Sequence, residues 1–329
     1  MNELEQEIRR RIAAAGPLPF DQFMNLALYH PELGYYSRPR DPFGVHGDYY
    51  TNSQVQPVFG RLIAQQILAW EVELGSPPEF TVVELGAGRG ETAREVRALL
   101  PHIRYIEVEK RSGALPEQMV GVVFSNEFFD ALPVEVVEFR PSRLMERRVG
   151  LKKDKLAWVE RAPCSTRIED YARRFIPRPA PGQVIEVNLE ALDWLERIAR
   201  SLVRGLVLTI DYGYTAGEIA GGRRFSDGSL MSYSRHTASE DVLRDPGERD
   251  ITAHVNFTAL AEHGASLGLE PSPLQTQTQF LLSIGQADNF ASAMTASLEQ
   301  DTFRHRQLLK TLLFDMGETY QVLIQKKNG

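Results

Sequence analysis

Three glycines in five residues, Gly86-Ala87-Gly88-Arg89-Gly90, stand between an apolar run ending at Leu85 and a helix-like stretch from Glu91 to Leu100. A strand, a glycine turn and a helix N-terminus together turn backbone N–H groups and a positive dipole end toward a ligand. A dinucleotide loop requires G-x-G-x-x-G, and here Glu91 takes the place of the third glycine. No G-K-[ST] closes the run as a phosphate loop. Two acids narrow the choice. Glu84, just before the turn, can attract a sulfonium or ammonium and repel a pyrophosphate. Glu107 ends the next predicted strand, 21 residues after Gly86, where a carboxylate accepts both ribose hydroxyl hydrogens. The combination favours S-adenosylmethionine (SAM), against the plain alternative of a glycine turn that merely fits. Glu109 reads as a solvated neighbour.

A second constellation, Ser125–Glu135 ("SNEFFDALPVE"), follows the third predicted strand, at the mouth of the crevice where open α/β sheets bind ligands. Asn126 gives and accepts hydrogen bonds, Glu127 and Asp130 supply two carboxylates, and Phe128 and Phe129 can wall an apolar slot. An amine or guanidinium receiving a methyl group needs such surroundings: acids to orient it and an apolar wall against water. The competing reading is a helix N-cap at Asn126 followed by first-turn acids. Asp211, ending the predicted strand "GLVLTID", faces the same rim. His254 in "RDITAHVNF" and His236 are candidates for proton relay or substrate binding, although a lone loop histidine is more often an ordinary hydrogen-bonding residue. The seven histidines show no metal-ligand spacing, so no metal site is expected.

The elements that must position these groups are legible from periodicity. Leu4, Ile8, Ile12 and Ala15 mark a helix that Gly16-Pro17 ends, and Phe20, Phe23, Met24, Ala27 and Leu28 mark a second, closed by His30-Pro31. Residues from Val55 to Ile67 mark a third, after the Gly-, Pro- and aromatic-rich loop Pro31–Ser53. This leader, residues 1–75, predicts a helical N-terminal cap. Beyond it, residues 76–329 read as an α/β core with predicted parallel strands "FTVVEL", "IRYIEV", "GVVFS", "GQVIEV" and "GLVLTID". "VEVVEF", "MERRVGL" and "KLAWVE" predict an antiparallel meander inserted around 133–180, with a substrate-side segment around 213–256. "QTQFLLSIG" and "ETYQVLIQKK" are expected to complete the sheet's edge.

With 43% hydrophobic and 25% charged residues in 329, the chain has the composition of a soluble globular protein. A net charge of −7 gives no basic surplus for nucleic acid. The single cysteine, Cys164, excludes an intramolecular disulfide and a multi-thiolate metal site. No apolar stretch reaches the about 20 residues that span a bilayer, and the acidic early N-terminus does not read as a signal peptide. A cytoplasmic protein without membrane insertion is expected, with homo-oligomers left open.

In order along the chain, "LGYY…GDYYTNSQVQPVFG", "VVELGAGRG", "YIEVE", "SNEFFDALPVE", "LTIDYG" and "RDITAHVNFTAL" resemble the MidA-like methyltransferase family. Its mitochondrial members are complex I assembly factors that methylate an arginine of an NADH dehydrogenase subunit. The resemblance implies a class I SAM-dependent methyltransferase fold, Rossmann-like, with a seven-stranded, mostly parallel sheet. It implies SAM contacts at Gly86, Gly88 and Glu107, with Asp48 closing over the cofactor, and places Asn126 and Glu127 where cofactor and substrate meet. By analogy with arginine methyltransferases, Glu127 is the first choice to hold a guanidinium and Glu186 the second. Gln54 and Asn256 stand where the family carries acids, which leaves two rivals open: a SAM-binding scaffold with vestigial chemistry, or an enzyme acting on a small molecule.

Overall fold

The computed structural model describes residues 1–37, 57–141, 143–221, 226–234, 237–294, 299–315, 317 and 319–329. The chain divides into two compact units. One comprises Met1–Tyr50, Asp130–Asp193 and Tyr214–Ala259; the other comprises Thr51–Phe129, Trp194–Gly213 and Leu260–Gly329.

In the second unit the strands Phe80–Leu85, Arg104–Val108, Met119–Asn126 and Leu202–Tyr214 form a parallel set, in the spatial order third core strand between first and fourth, and second at the edge. Tyr320–Lys327 joins the fourth antiparallel, and the two-residue strands Glu270–Pro271 and Gln275–Thr276 pair with it. The sheet is therefore mixed, and the expected seven-stranded, mostly parallel form is replaced by four parallel strands with an antiparallel flank. The first core strand is buried along its whole length, as a continuous apolar run demands of a strand covered on both faces. Helix Val58–Glu73 packs into the same core, burying Phe59, Leu62, Ile63, Ile67 and Trp70 at helical spacing. Between Thr81 and Gly205 the third strand passes at Gly121, and the backbones approach closely. A Cβ on Gly121 would lie 1.9 Å from the Thr81 carbonyl oxygen, and one on Gly205 would lie 1.9 Å from that of Gly121.

The first unit is built on an antiparallel sheet of Leu18–Pro19, Arg143–Lys152, Glu135–Arg140 and Val184–Val187, with Lys155–Pro163 paired to Arg143–Lys152. The hairpin turns at Lys153 and Asp154, both left-handed (φ 49° and 55°), the backbone that a two-residue connection needs to match strand twist. Helices Glu3–Ala15 and Phe20–Tyr29 bury Leu4, Ile8, Phe20, Phe23 and Met24 in one core with Val134, Val136 and Val149. The meander is as its alternation predicts.

Two elements differ from the sequence reading. "GQVIEV" was expected in the parallel set, but Val184–Val187 pairs antiparallel with Glu135–Arg140; a four-residue strand carries no information about its partner's direction. "QTQFLLSIG" forms a helix, Gln277–Gly285, rather than an edge strand. Thr276 accepts from the Gln279 amide and the Gln279 side chain answers back, a capping box that overrides the strand-like composition.

Candidate active site

The first core strand delivers the chain into the glycine turn, where Gly86, Gly88 and Gly90 all adopt left-handed φ (68°, 56° and 66°), a region costly to any residue with a Cβ. Space makes the same demand. A Cβ at Gly86 would stand 2.9 Å from the Phe128 ring, and one at Gly90 would stand 3.0 Å from Glu107 Oε2. Gly86 N–H donates to the Val108 carbonyl at 2.9 Å, pinning the turn to the neighbouring strand end. Helix Glu91–Leu99 then leaves the turn with Glu91 in its first, dipole-favoured turn.

Glu107 sits beside Glu84 in the parallel register. Its side chain is 35% exposed; Oε1 pairs with Arg97 Nη1 at 2.5 Å, while Oε2 overhangs Gly90. Arg97 is itself held over the Tyr105 ring at 5.0 Å. The sequence reading missed this arginine, which lies 10 residues before its acid on the helix after the turn. Glu109, read as solvated, accepts the Gly88 N–H at 2.9 Å and so is part of the turn.

Glu84 is only 4% exposed and accepts the Tyr105 hydroxyl at 2.8 Å. Burial pushes its carboxyl up to about 7, with the Tyr105 bond opposing and the charges of Glu107 and Glu109 reinforcing the rise. Its reading as a full negative charge facing a cation is thereby weakened near neutrality. A carboxyl raised on folding above its ordinary 4.5 stabilises the fold fully below that value, and the contribution is lost as pH climbs through about 7. Glu84→Gln removes the dependence. The variant is expected to gain on the native chain between about pH 5 and 8, by on the order of 3 kcal/mol at the upper end. Thermal melts of both proteins across that range check it, and parallel curves would contradict it.

The third core strand ends at Asn126, next to the first, because Leu85 and Ser125 are register partners. Glu127 follows in a left-handed conformation (φ 55°), unusual for a side chain of its length. Its N–H donates to Ile210 O at 3.0 Å, and Asn126 Nδ2 donates to its Oε1 at 3.1 Å. No helix starts here, so the N-cap reading of Asn126 falls. Asp211 was expected to face substrate. It is instead 0% exposed, with Oδ2 accepting the N–H groups of Phe128 and Phe129 at 3.2 and 2.9 Å and Oδ1 that of Tyr212 at 2.9 Å. Three backbone donors hold the carboxylate and fasten the turn that carries Glu127. Phe129 is likewise 0% exposed and lies edge-on to Phe128, which in turn meets Trp194 edge-on at 5.1 Å. Phe128, against Gly86, is the ring that joins the two motifs; Phe129 belongs to the core.

In the first unit, Glu186 accepts both the N–H and the hydroxyl of Ser229 at 2.9 Å, and burial raises its carboxyl. The Ser229 hydroxyl oxygen accepts the His254 N–H at 3.0 Å. Glu186, His254, Tyr171, Asn188 and Asn256 line one small cavity. Asn256 replaces the family's acid with a reason: Oδ1 accepts the Ala259 N–H at 3.1 Å and Nδ2 donates to Phe175 O at 3.2 Å, and a carboxylate cannot donate. Asp130 is also buried here, its carbonyl accepting the Ala253 N–H at 2.9 Å. Asp48, Gln54 and His236 lie outside the described residues. Among the described residues no cluster of acids, histidines and cysteine suits a metal, and no helix is long and apolar enough to cross a membrane.

A family described as "putative S-adenosyl-L-methionine-dependent methyltransferase" matches residues 98–274, more than half of the chain. The chain is 27% identical to the Bos taurus protein arginine methyltransferase NDUFAF7, mitochondrial, over 84% of this chain and 71% of that one. Its Drosophila melanogaster homolog, likewise named mitochondrial, is 26% identical over 77% and 68%. A Burkholderia thailandensis crystal structure bound to S-adenosyl-homocysteine shares 27% identity, with a TM-score of 0.83, and covers 99% of this chain and 92% of that one. These relatives' names overturn the expectation of a cytoplasmic protein. A lone cysteine and an acidic composition suit more than one compartment and did not discriminate. The chain belongs to the MidA-like family of SAM-dependent methyltransferases, and SAM is its cofactor.

Proposed function

We propose that this chain transfers the methyl group of SAM to a nitrogen of a protein arginine, with Glu127 holding the guanidinium. The glycine turn fits the cofactor: it is a cradle that a Cβ would fill, overhung by a carboxylate. Gly86, Gly88, Gly90 and Glu107 would hold SAM there, with Asp48, by the family resemblance, closing over it. When bound, SAM supplies a methyl group already activated on a sulfonium.

The chain's own residues then have to align and shield. The Glu127 carboxylate orients the guanidinium through fork-like hydrogen bonds, Asn126 steadies that carboxylate, and the Phe128 ring limits water beside the turn. The guanidinium, with its pKa above about 12, needs no base before attack; as its nitrogen takes the methyl and the methyl–sulfur bond breaks, its surplus proton passes to water. The observation that carries this reading is the left-handed Glu127, presented at the strand end beside the glycine turn. The arginine acceptor follows the relatives' names, and a respiratory-complex subunit as acceptor follows the family resemblance. The fold reading that accompanies it is a class I core with residues 1–75 as a cap and 133–180 and 213–256 as insertions.

Incubation with methyl-labelled SAM and cell lysate tests it. Label on a discrete protein band that yields methylarginine on hydrolysis is the expected result. Label confined to small molecules, or no label with SAM bound, overturns it.

A further inference from the structure

Arg97 stands in the last turn of the helix Glu91–Leu99 and reaches across to the strand Arg104–Val108. Its Nη1 donates to Glu107 Oε1 at 2.5 Å, its Nη2 donates to the Tyr105 carbonyl at 3.3 Å, and the guanidinium lies over the Tyr105 ring. That ring is itself tied down, because its hydroxyl donates to the buried Glu84 at 2.8 Å. The other oxygen of Glu107 overhangs Gly90. Glu109, two residues on, is drawn instead to the Gly88 N–H. The two acids of this strand end therefore have separate partners, and the guanidinium belongs to Glu107.

We propose that Arg97 is a positioning residue for the cofactor, gripping one oxygen of Glu107 so that the other stays turned over the glycine turn, where the ribose hydroxyls of SAM are bound. This rests on the reading of Glu107 as the acid that takes that ribose. A glutamate side chain that is 35% exposed has three torsions to settle. Its acidic neighbours settle them the wrong way. Glu109 and, where it is ionised, Glu84, the register partner of Glu107, repel the carboxylate toward water. The guanidinium opposes this drift from a fixed place, since the Tyr105 carbonyl and ring hold it independently of Glu107. A planar fork held in this way loses less freedom per bond than a lysine ammonium would. An ion pair with Arg97 47% exposed adds little to the stability of the fold. Its effect falls on where the Glu107 carboxylate points, and so on cofactor affinity. A surface pair without that role predicts an affinity indifferent to Arg97.

The test is calorimetric titration of the full chain with S-adenosyl-homocysteine and with its analogue lacking both ribose hydroxyls. Arg97→Met keeps an apolar side chain over the Tyr105 ring and removes the charge. It is expected to bind S-adenosyl-homocysteine about tenfold more weakly and the hydroxyl-free analogue as the native chain does. The hydroxyl pair, worth about 100-fold to the native chain, is then worth about tenfold to the variant. Thermal melts of the two proteins are expected to agree within about 2 °C. In a Glu107→Gln background, Arg97→Met is expected to cost nothing further, because the group through which it acts has already been altered. Native affinity in Arg97→Met, an equal loss for both ligands, or a full additional loss in the double variant would each overturn the positioning role while leaving Glu107's role standing. Native affinity in Glu107→Gln, or no preference of the native chain for the ligand that carries the hydroxyls, would instead remove the reading on which the proposal rests.

Discussion

Glu127→Gln is expected to bind SAM as the native chain does and to transfer methyl groups about 100- to 1000-fold more slowly. Glutamine keeps the volume of glutamate, retains an oxygen for Asn126 Nδ2, and pays the same left-handed backbone cost, so the turn is preserved. It lacks the charge. A guanidinium desolvated beside a neutral amide has lost its counter-ion, and removing one partner of such a pair costs about 3–4 kcal/mol, or two to three decades in rate. Separate measurement of calorimetric SAM affinity and the initial rate of label transfer divides the outcomes. A loss of SAM affinity in a folded variant would move Glu127 from the substrate side to the cofactor side.

Asp211→Ala is expected to destabilise the protein by about 3–5 kcal/mol, the largest single stability effect foreseen from the site. The residue is fully buried and its two oxygens collect three backbone N–H groups. Alanine strands those donors away from water and frees the turn at residues 127–129. Asp211→Asn, which keeps one acceptor oxygen, is expected to lose about half as much. Urea denaturation with an unchanged slope and a lowered midpoint reads the effect. Both variants are expected to lose transfer activity beyond what their folded fraction explains, because Glu127 is held by the same turn. A stable Asp211→Ala protein would show that the anchor is dispensable.

Much of the architecture was written in local patterns. Buried strands such as Phe80–Leu85 announce themselves as apolar runs, and the meander by its alternation. The glycine turn and Glu107 were legible because a bent backbone and an acid at a strand end are both local requirements. What escaped were facts about direction and partner. Asp211 at a strand end reads the same whether it points to a crevice or tucks under a neighbouring turn; the difference lies in the Phe128 and Phe129 amides, 82 to 83 residues earlier. Tyr320 and Tyr212 meet across 108 residues, and nothing in "ETYQVLIQKK" marks its tyrosine as different from any core aromatic. Arg97 was invisible for the opposite reason: a charged residue on a helix is the ordinary case, and only the tertiary fold sets it against Glu107. Val184–Val187 shows the same limit for strands, where composition supplies existence but not neighbour.

The row Thr81–Gly121–Gly205 acts on the chemistry from a distance. With no room for a methyl group between these backbones, a slip of the third strand by one residue would drive Val120 or Val122 into a carbonyl and would reverse every side chain along it. The row works as an index pin that keeps three strands in step. Five residues on, about 16 Å away, that alignment decides where Asn126 ends and Glu127 turns. Inherited changes at Gly121 would thus look like active-site lesions while touching nothing near the reacting atoms, and evolutionary drift in this fold has less freedom at that row than at many positions closer to the methyl group.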